Sequence, residues 1–173
     1  MDQYIPDMYK KSIYDIDYKK LKKIGIKCLL FDLDNTIAQS KAEKPTKKIK
    51  ILIESLKEEG FRIIILTNAF KKRVKPFSNE LNVEFIHRAH KPSPKGYSKV
   101  LNKYKYKLTE VTMIGDQLKT DILGGNRVGI TTILVNPISK KEMIFTKINR
   151  FFENRIFKKL GKKDLLRKGQ YYD

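Results

Sequence analysis

The chain has 173 residues, 38 Lys and Arg against 19 Asp and Glu, a formal net charge of +19, and 40% hydrophobic residues. This length predicts one domain with at most a short appendage, and the apolar fraction excludes disorder over most of the chain. No apolar run approaches the roughly 20 residues of a membrane-spanning helix, and residues 1–7 lack the pattern of a secretory signal. The single cysteine, Cys28, excludes an internal disulfide and fits a reducing cytoplasm. One cysteine and two histidines also argue against a structural zinc site.

The positive charge indicates a polyanionic partner, which is nucleic acid, an anionic membrane surface or a phosphorylated molecule. A lysine-rich composition that only keeps the protein soluble explains the charge equally well. Residues 138–173 carry 11 basic and 4 acidic side chains, a net +7, which leaves +12 for the rest of the chain. The excess is therefore a property of the whole surface.

Apolar runs alternate with helix-like segments along the chain. Strands are predicted at 27–32, 61–66, 83–86, 111–114 and 131–135, and helices at 46–59, 70–81, 93–104 and 120–127. Near-continuous apolar strands that alternate with helices form parallel sheets covered on both faces. The expected fold is α/β and Rossmann-like, a mostly parallel sheet with helices on both faces.

Polar residues follow the predicted strands where each one ends, the edge at which such sheets bind ligands. They are Asp32, Asp34, Asn35 and Thr36 after the first strand, Thr67 and Asn68 after the second, Lys91 after the third, and Asp116 after the fourth. Taken singly, each has an ordinary explanation as a turn residue, a helix cap or a solvated side chain. Their joint placement at successive strand ends indicates a site.

Asp32 and Asp34 suit a division of labour between a nucleophile and a general acid/base. Two carboxylates this close are not both readily ionised unless a cation intervenes, and a hard divalent ion such as Mg²⁺ prefers oxygen ligands. Asp116 is a further candidate ligand, and Asp121 a candidate for binding a metal-bound water or orienting Lys91. Thr67, Asn68 and Lys91 offer a hydroxyl, an amide and a positive charge to a phosphoryl group.

Four segments resemble the four motifs of the haloacid dehalogenase superfamily: FDLDNT at 31–36, LTN at 66–68, KP at 91–92 and IGDQLKTD at 114–121. The resemblance covers residues 26–136 and implies a Rossmann-like, Mg²⁺-dependent phosphatase that forms an aspartyl-phosphate. The leader Tyr14-Asp15-Ile16-Asp17, with the residues up to Lys27, resembles the YqeG-type subclass IIIA phosphatases. That group is similar to the phosphatidylglycerophosphate phosphatases, which implies a lipid phosphate substrate and a role in phospholipid metabolism.

The resemblance also implies roles for individual residues. Asp32 is the nucleophile and a metal ligand, and Asp34 is the acid/base with its backbone carbonyl on the metal. Asp116 is a metal ligand, and Asp121 lies next to the ligands without binding the metal directly. The substrate phosphate is assigned to Asn35, Thr67, Asn68 and Lys91.

Only 32 residues separate Asp34 from Thr67, which is room for a loop and one helix but not for a large cap domain. We therefore expect an open site that admits large or surface-bound substrates. The expected organisation is a leader packed on the core at 1–25, a phosphatase domain at 26–137, and a basic amphipathic helical segment at 138–173.

The C-terminal segment repeats apolar residues at helical spacing: Ile144, Ile148, Phe152, Ile156 and Leu160. Basic residues lie among them. One interpretation is a helix whose apolar face packs on the sheet domain, and the other is an amphipathic helix on an anionic membrane.

Two other functions remain open from the sequence. An open site on a basic protein also suits a nucleic-acid end or nucleotide phosphatase, although the sequence shows no evident platform of aromatic residues on which nucleic-acid bases could stack. A non-catalytic binding protein is the other alternative, and the complete set of motif residues argues against it. A location in the cytoplasm, with peripheral contact at the inner membrane surface, completes the expectation.

Overall fold

The computed structural model describes residues 2–139 and 144–173 of the chain. Within these ranges six strands and six α-helices follow one another along the chain. They are β1 (Met8–Lys10), α1 (Tyr18–Lys23), β2 (Cys28–Phe31), α2 (Lys47–Glu58), β3 (Arg62–Leu66), α3 (Lys71–Leu81), β4 (Glu84–Ile86), α4 (Lys95–Tyr104), β5 (Val111–Gly115), α5 (Leu123–Val128), β6 (Thr131–Val135) and α6 (Ile144–Lys162).

The six strands form one fully parallel sheet in the order β1-β6-β5-β2-β3-β4. The chain runs outward from β2 through β3 to β4 and then returns to β5 on the other side of β2. This reversal of strand order opens a crevice at the carboxyl ends of β2 and β5. Phe31 pairs with Ile114 there, so the residues that follow both strands emerge side by side.

Helices cover both faces of the sheet because each presents an apolar stripe to it. On one face α2 buries Ile49, Ile53 and Leu56, and it begins at Thr46, whose hydroxyl accepts a hydrogen bond from the Ile49 N–H at 3.3 Å. On the other face α4 buries Tyr97 and Val100. The predicted Rossmann-like α/β fold is confirmed. Each interval between the motifs holds one helix and one strand of the sheet domain rather than a large cap.

The first strand and first helix are absent from the sequence prediction. β1 pairs in parallel with β6, placing Tyr9 beside Leu134, and Tyr9 also forms a bridge with Tyr172 near the C-terminus. The residues predicted as a leader thus supply one of the two edge strands of the sheet. The predicted helix at 120–127 is divided into a π-helical turn at Leu118–Ile122 and the short α5.

The C-terminal segment packs on the sheet domain over the part whose side chains are described. Leu160 and Leu166 are buried in a cluster with Tyr9, Leu118 and Leu134. The predicted apolar positions Ile144 and Ile148 lie outside the residues whose side chains the structure describes. No helix among the described residues is both long enough and apolar enough to span a membrane.

Candidate active site

A buried ion-pair network occupies the crevice at the carboxyl ends of β2 and β5. The Nζ of Lys91 lies 2.6 Å from Oδ1 of Asp32 and 2.6 Å from Oδ1 of Asp121. All three residues are at least 93% buried, with exposed fractions of 7% for Asp32, 5% for Lys91 and 1% for Asp121. A buried charge is costly unless it is paired, so each member depends on the others.

Burial and charge shift the pKa values of this network in a way that suits a cation-binding site. Burial raises the pKa of Asp32 to about 7, against the opposing effect of the Lys91 ammonium. Burial disfavours the ammonium of Lys91, but the carboxylates of Asp121 and Asp32 hold the pKa of Lys91 above its usual value. Lys91 therefore stays protonated, and Asp32 lies where a further positive charge would favour its ionised form.

The network extends to a third carboxylate, and the three together form a cluster of hard oxygen donors. One carboxylate oxygen from each of Asp32, Asp116 and Asp121 lies within 4.8 Å of the other two. The hydroxyl of Thr36 donates to Oδ1 of Asp116 at 3.3 Å. Converging carboxylates with one ammonium leave a net negative charge in a buried space, so this donor set fits a divalent cation. Asp121 already accepts hydrogen bonds from Lys91 and from the Gln117 N–H (3.1 Å). These contacts suit a residue that orients its neighbours without binding the cation directly.

Gly115, the last residue of β5, allows Asp121 to approach this closely. A Cβ at this glycine would lie 2.3 Å from Cγ and Oδ2 of Asp121. Any side chain here would displace the carboxylate that holds Lys91. The glycine before Asp116 is therefore required by the packing of the site.

Asp34 has a different environment from Asp32, although only one residue separates them. Its Oδ1 accepts from Nε and Nη2 of Arg73 on α3, at 3.1 and 2.8 Å. The same guanidinium donates to the backbone carbonyls of Gln39 and Ala42 in the loop after β2. Asp34 is only partly buried, with 35% of its side chain exposed. One carboxylate is thus buried against an ammonium, and the other is accessible and fixed by a guanidinium.

Sequence reasoning did not identify Arg73. It is one of 38 basic residues, and it lies on a helix between two motifs rather than in either one. Only its position near the start of α3, which follows Thr67 and Asn68, would have suggested that it could face the site.

Asn35 adopts a left-handed backbone conformation with φ of +65°. Asparagine tolerates this region better than most residues other than glycine. Its N–H donates to the carbonyl of Ala38 at 2.6 Å, which closes the tight turn after Asp34. The side-chain Oδ1 is buried without a hydrogen-bond partner among the described residues.

Thr67 and Asn68 both shape the loop that carries Lys91. The Asn68 amide donates to the Lys91 carbonyl at 3.0 Å, and its oxygen accepts from the Lys91 N–H at 2.7 Å. This side chain, predicted to contact phosphate, therefore engages the backbone of Lys91 through both of its polar ends. Thr67 is buried, and its hydroxyl accepts from the Ala69 N–H at 3.1 Å.

Comparison with known proteins agrees with this geometry. Residues 40–129 match the family described as haloacid dehalogenase-like hydrolase. A Bacillus subtilis (strain 168) protein named "Probable phosphatase YqeG" is 38% identical over 160 residues, which are 92% of this chain and 93% of that protein. The chain belongs to the haloacid dehalogenase-like hydrolases.

Two further proteins are similar to the chain. The phosphatidylglycerophosphate phosphatase 1 of Arabidopsis thaliana is 29% identical over 152 residues, covering 82% of this chain and 43% of the plant protein. The cobalt-bound deoxy-D-mannose-octulosonate 8-phosphate phosphatase of Haemophilus influenzae shares the fold, with a TM-score of 0.55 and 13% identity. That comparison covers 75% of this chain and 77% of the other.

These matches confirm the predicted family, the resemblance to YqeG and the prediction of a phosphatase of the haloacid dehalogenase type. The roles assigned to individual residues remain predictions.

Proposed function

We propose that this haloacid dehalogenase-like phosphatase is a Mg²⁺-dependent phosphomonoester hydrolase whose nucleophile is Asp32. The observation that carries the proposal is the buried contact of Asp32 with Lys91, beside the carboxylates of Asp116 and Asp121. A nucleophile, a fixed positive charge and a cation site within one crevice are what phosphoryl transfer requires.

In the first step Asp32 attacks phosphorus through a carboxylate oxygen while the bond from phosphorus to the leaving oxygen breaks. Asp34 accepts from Arg73 through Oδ1, and in its protonated form it gives a proton from Oδ2 to the leaving oxygen. Asp32 then carries the phosphoryl group. In the second step Asp34 takes a proton from a water molecule that attacks phosphorus, which releases inorganic phosphate and restores both carboxyl groups.

Positive charge stabilises the phosphoryl group throughout. Lys91 is held protonated by its two carboxylate partners and supplies one full charge. Mg²⁺ would be held by Asp32, Asp116 and the backbone carbonyl of Asp34, and when bound it neutralises the negative charge of the phosphate and the carboxylates. In this proposal the phosphate oxygens also accept hydrogen bonds from the Thr67 hydroxyl and the Asn35 side-chain N–H groups.

We extend the proposal to a lipid phosphate at an anionic membrane surface, with phosphatidylglycerophosphate as the first candidate. Three observations support it: the similarity to the Arabidopsis enzyme, the absence of a large cap over the site within residues 2–139 and 144–173, and the net charge of +19. A basic surface is attracted to anionic lipid, and an open crevice can reach a headgroup that stays in the bilayer. The proposal includes a location in the cytoplasm, in peripheral contact with the inner face of the membrane.

The test is phosphate release from p-nitrophenyl phosphate with Mg²⁺, comparing the native protein with Asp32→Asn. Removing the nucleophile is expected to lower kcat by at least about a thousandfold. Asp164→Asn is the matched control, because Asp164 is exposed and has a φ of +56°, which asparagine accommodates. Equal turnover by the native protein and Asp32→Asn would show that Asp32 is not the nucleophile.

The same assay distinguishes the substrate classes. Phosphatidylglycerophosphate in anionic vesicles is compared with a sugar phosphate, a nucleotide and a 5′-phosphorylated oligonucleotide. A clear preference in kcat/KM for the lipid supports the extended proposal. Preference for the oligonucleotide would contradict it and favour the nucleic-acid end phosphatase.

A further inference from the structure

An open pocket of about 480 Å³ lies between β4 and α4, next to the loop that carries Lys91. Its polar wall consists of side chains that are cationic or contain imidazole: His87, Arg88, His90, Lys95 and Lys99. Phe85 and Ile86 of β4 supply an apolar wall. None of the described residues that line the pocket is acidic.

The cations of this pocket have no acidic partner among the residues that the structure describes, whereas a neighbour on the same helix does. Lys103, one turn beyond Lys99, forms an ion pair with Glu84. Lys95 and Lys99 lie four residues apart, on one side of α4, and neither forms an ion pair with a described residue. The pocket therefore keeps a concentration of positive charge that is not neutralised within the described chain.

His87 supplies an independent sign that the pocket takes a ligand. Its ring nitrogen Nδ1 is buried and has no hydrogen-bond partner within the described part of the chain. A buried polar nitrogen without a partner costs free energy, and an oxygen of a bound anion would accept from its N–H.

The pocket is connected to the catalytic crevice by short stretches of backbone. The Arg88 N–H donates to the carbonyl of Ala69, and the Ala89 N–H donates to the carbonyl of Thr67, both at 3.0 Å. Three peptide units separate Arg88 from Lys91, so their Cα atoms are at most about 11 Å apart. A molecule with one group near Lys91 needs only a short linker to reach the pocket.

We propose that this pocket binds a second phosphate-like anionic group of the same substrate molecule whose phosphomonoester reaches Asp32. The inference rests on the proposed function and narrows the substrate class to phosphomonoesters that carry another anion a few bonds away. The cations bind the second group by charge-assisted hydrogen bonds, and the apolar wall contacts the linker.

The test compares propane-1,3-diol bisphosphate with 3-hydroxypropyl phosphate, which differ only in the second phosphate. We expect the double variant Lys95→Gln/Lys99→Gln to lose about tenfold in kcat/KM for the bisphosphate and less than about twofold for the monophosphate. Lys19→Gln/Lys23→Gln is the matched control. It removes the same charge from exposed lysines of α1, a helix that leads into the amino end of β2, and should leave both values unchanged.

A binding measurement separates failure of this inference from failure of the proposed function. Calorimetric titration of the bisphosphate into Asp32→Asn, with and without the two α4 substitutions, reports the pocket without turnover. Tighter binding with the lysines present supports the pocket even if no substrate is hydrolysed, in which case only the proposed function fails. Equal loss for both substrates, or binding that is insensitive to Lys95 and Lys99, overturns the inference.

Discussion

The guanidinium of Arg73 sets the position of the Asp34 carboxylate and of the loop behind it. Two of its nitrogens contact Asp34, and the group also donates to two carbonyls of the same loop. Phe77, one turn along α3, lies under the guanidinium at 4.8 Å. A planar group with several donors in fixed directions can hold the carboxylate and the loop together, which an ammonium cannot do.

Substituting Arg73 should therefore reduce the rate more than it reduces substrate binding. We expect Arg73→Gln to lower kcat by about tenfold or more with little change in KM, because Asp34 would be free to leave the position for proton transfer. Arg73→Lys, which keeps the charge but not the fork, should restore only part of the rate.

Lys75→Gln on the same helix is the control, since it removes the same charge from an exposed position. Steady-state kinetics and thermal unfolding of all four proteins test this idea. If Arg73→Gln lowered the unfolding temperature but left kcat unchanged, the contact would only stabilise the loop.

At this scale the sequence predicts which side chains converge but not how they pair. Asp32, Lys91 and Asp116 follow parallel strands, and the carboxyl ends of such strands share an edge. That Lys91 bridges Asp32 and Asp121 depends on rotamers and on the space left by Gly115. These are properties of the packed state, so the sequence pattern does not reveal them.

At the level of elements, the end of the chain is part of the sheet domain. Leu160 of α6 and Leu166 beyond it are buried against β1 and β6, and Tyr172 exchanges backbone hydrogen bonds with Tyr9 at 2.9 and 3.0 Å. The sequence left open whether this segment packs on the core or on a membrane. Where its side chains are described, the buried apolar residues of this segment pack against the sheet domain.

Leu160→Ala should destabilise the protein by about 2–4 kcal/mol, the usual cost of truncating a fully buried leucine. Leu165→Ala makes the same change five residues later at a side chain that is 43% exposed, and it should cost less than about 1 kcal/mol. Urea denaturation gives both free energies of unfolding. Similar small losses for the two variants would show that α6 contributes little to the fold.

The missed strand β1 shows where local patterns stop being informative. Met8–Lys10 is only three residues long, too short to show alternation, and it follows a proline. Its partners, β6 and Tyr172, lie more than 120 residues away along the chain. The central strands β2, β3 and β5 were predictable because each is a nearly continuous apolar run.

For the whole molecule, the charge has opposite signs inside and outside. The surface gives the chain its net +19, while the centre of the site collects three carboxylates around one ammonium. Such a cluster is destabilising without a cation, because like charges are held together in a buried space. We therefore expect the cluster to lower the stability of the metal-free protein, and cation binding to offset the repulsion.

This repulsion predicts that Asp116→Asn changes the unfolding temperature in opposite directions, relative to the native protein, without and with Mg²⁺. Mg²⁺ at about 100 times its Kd should add about 2.7 kcal/mol to the native protein, a rise of several degrees in Tm. Asp116→Asn removes one charge of the cluster, so its Tm without metal should equal or exceed that of the native protein, while the rise with Mg²⁺ should largely disappear. Thermal unfolding in EDTA and in MgCl₂, at ionic strength matched with NaCl, measures both effects, with Asp164→Asn as the exposed control. If Asp116→Asn kept the full Mg²⁺-dependent rise, the cation would have to bind elsewhere on the molecule.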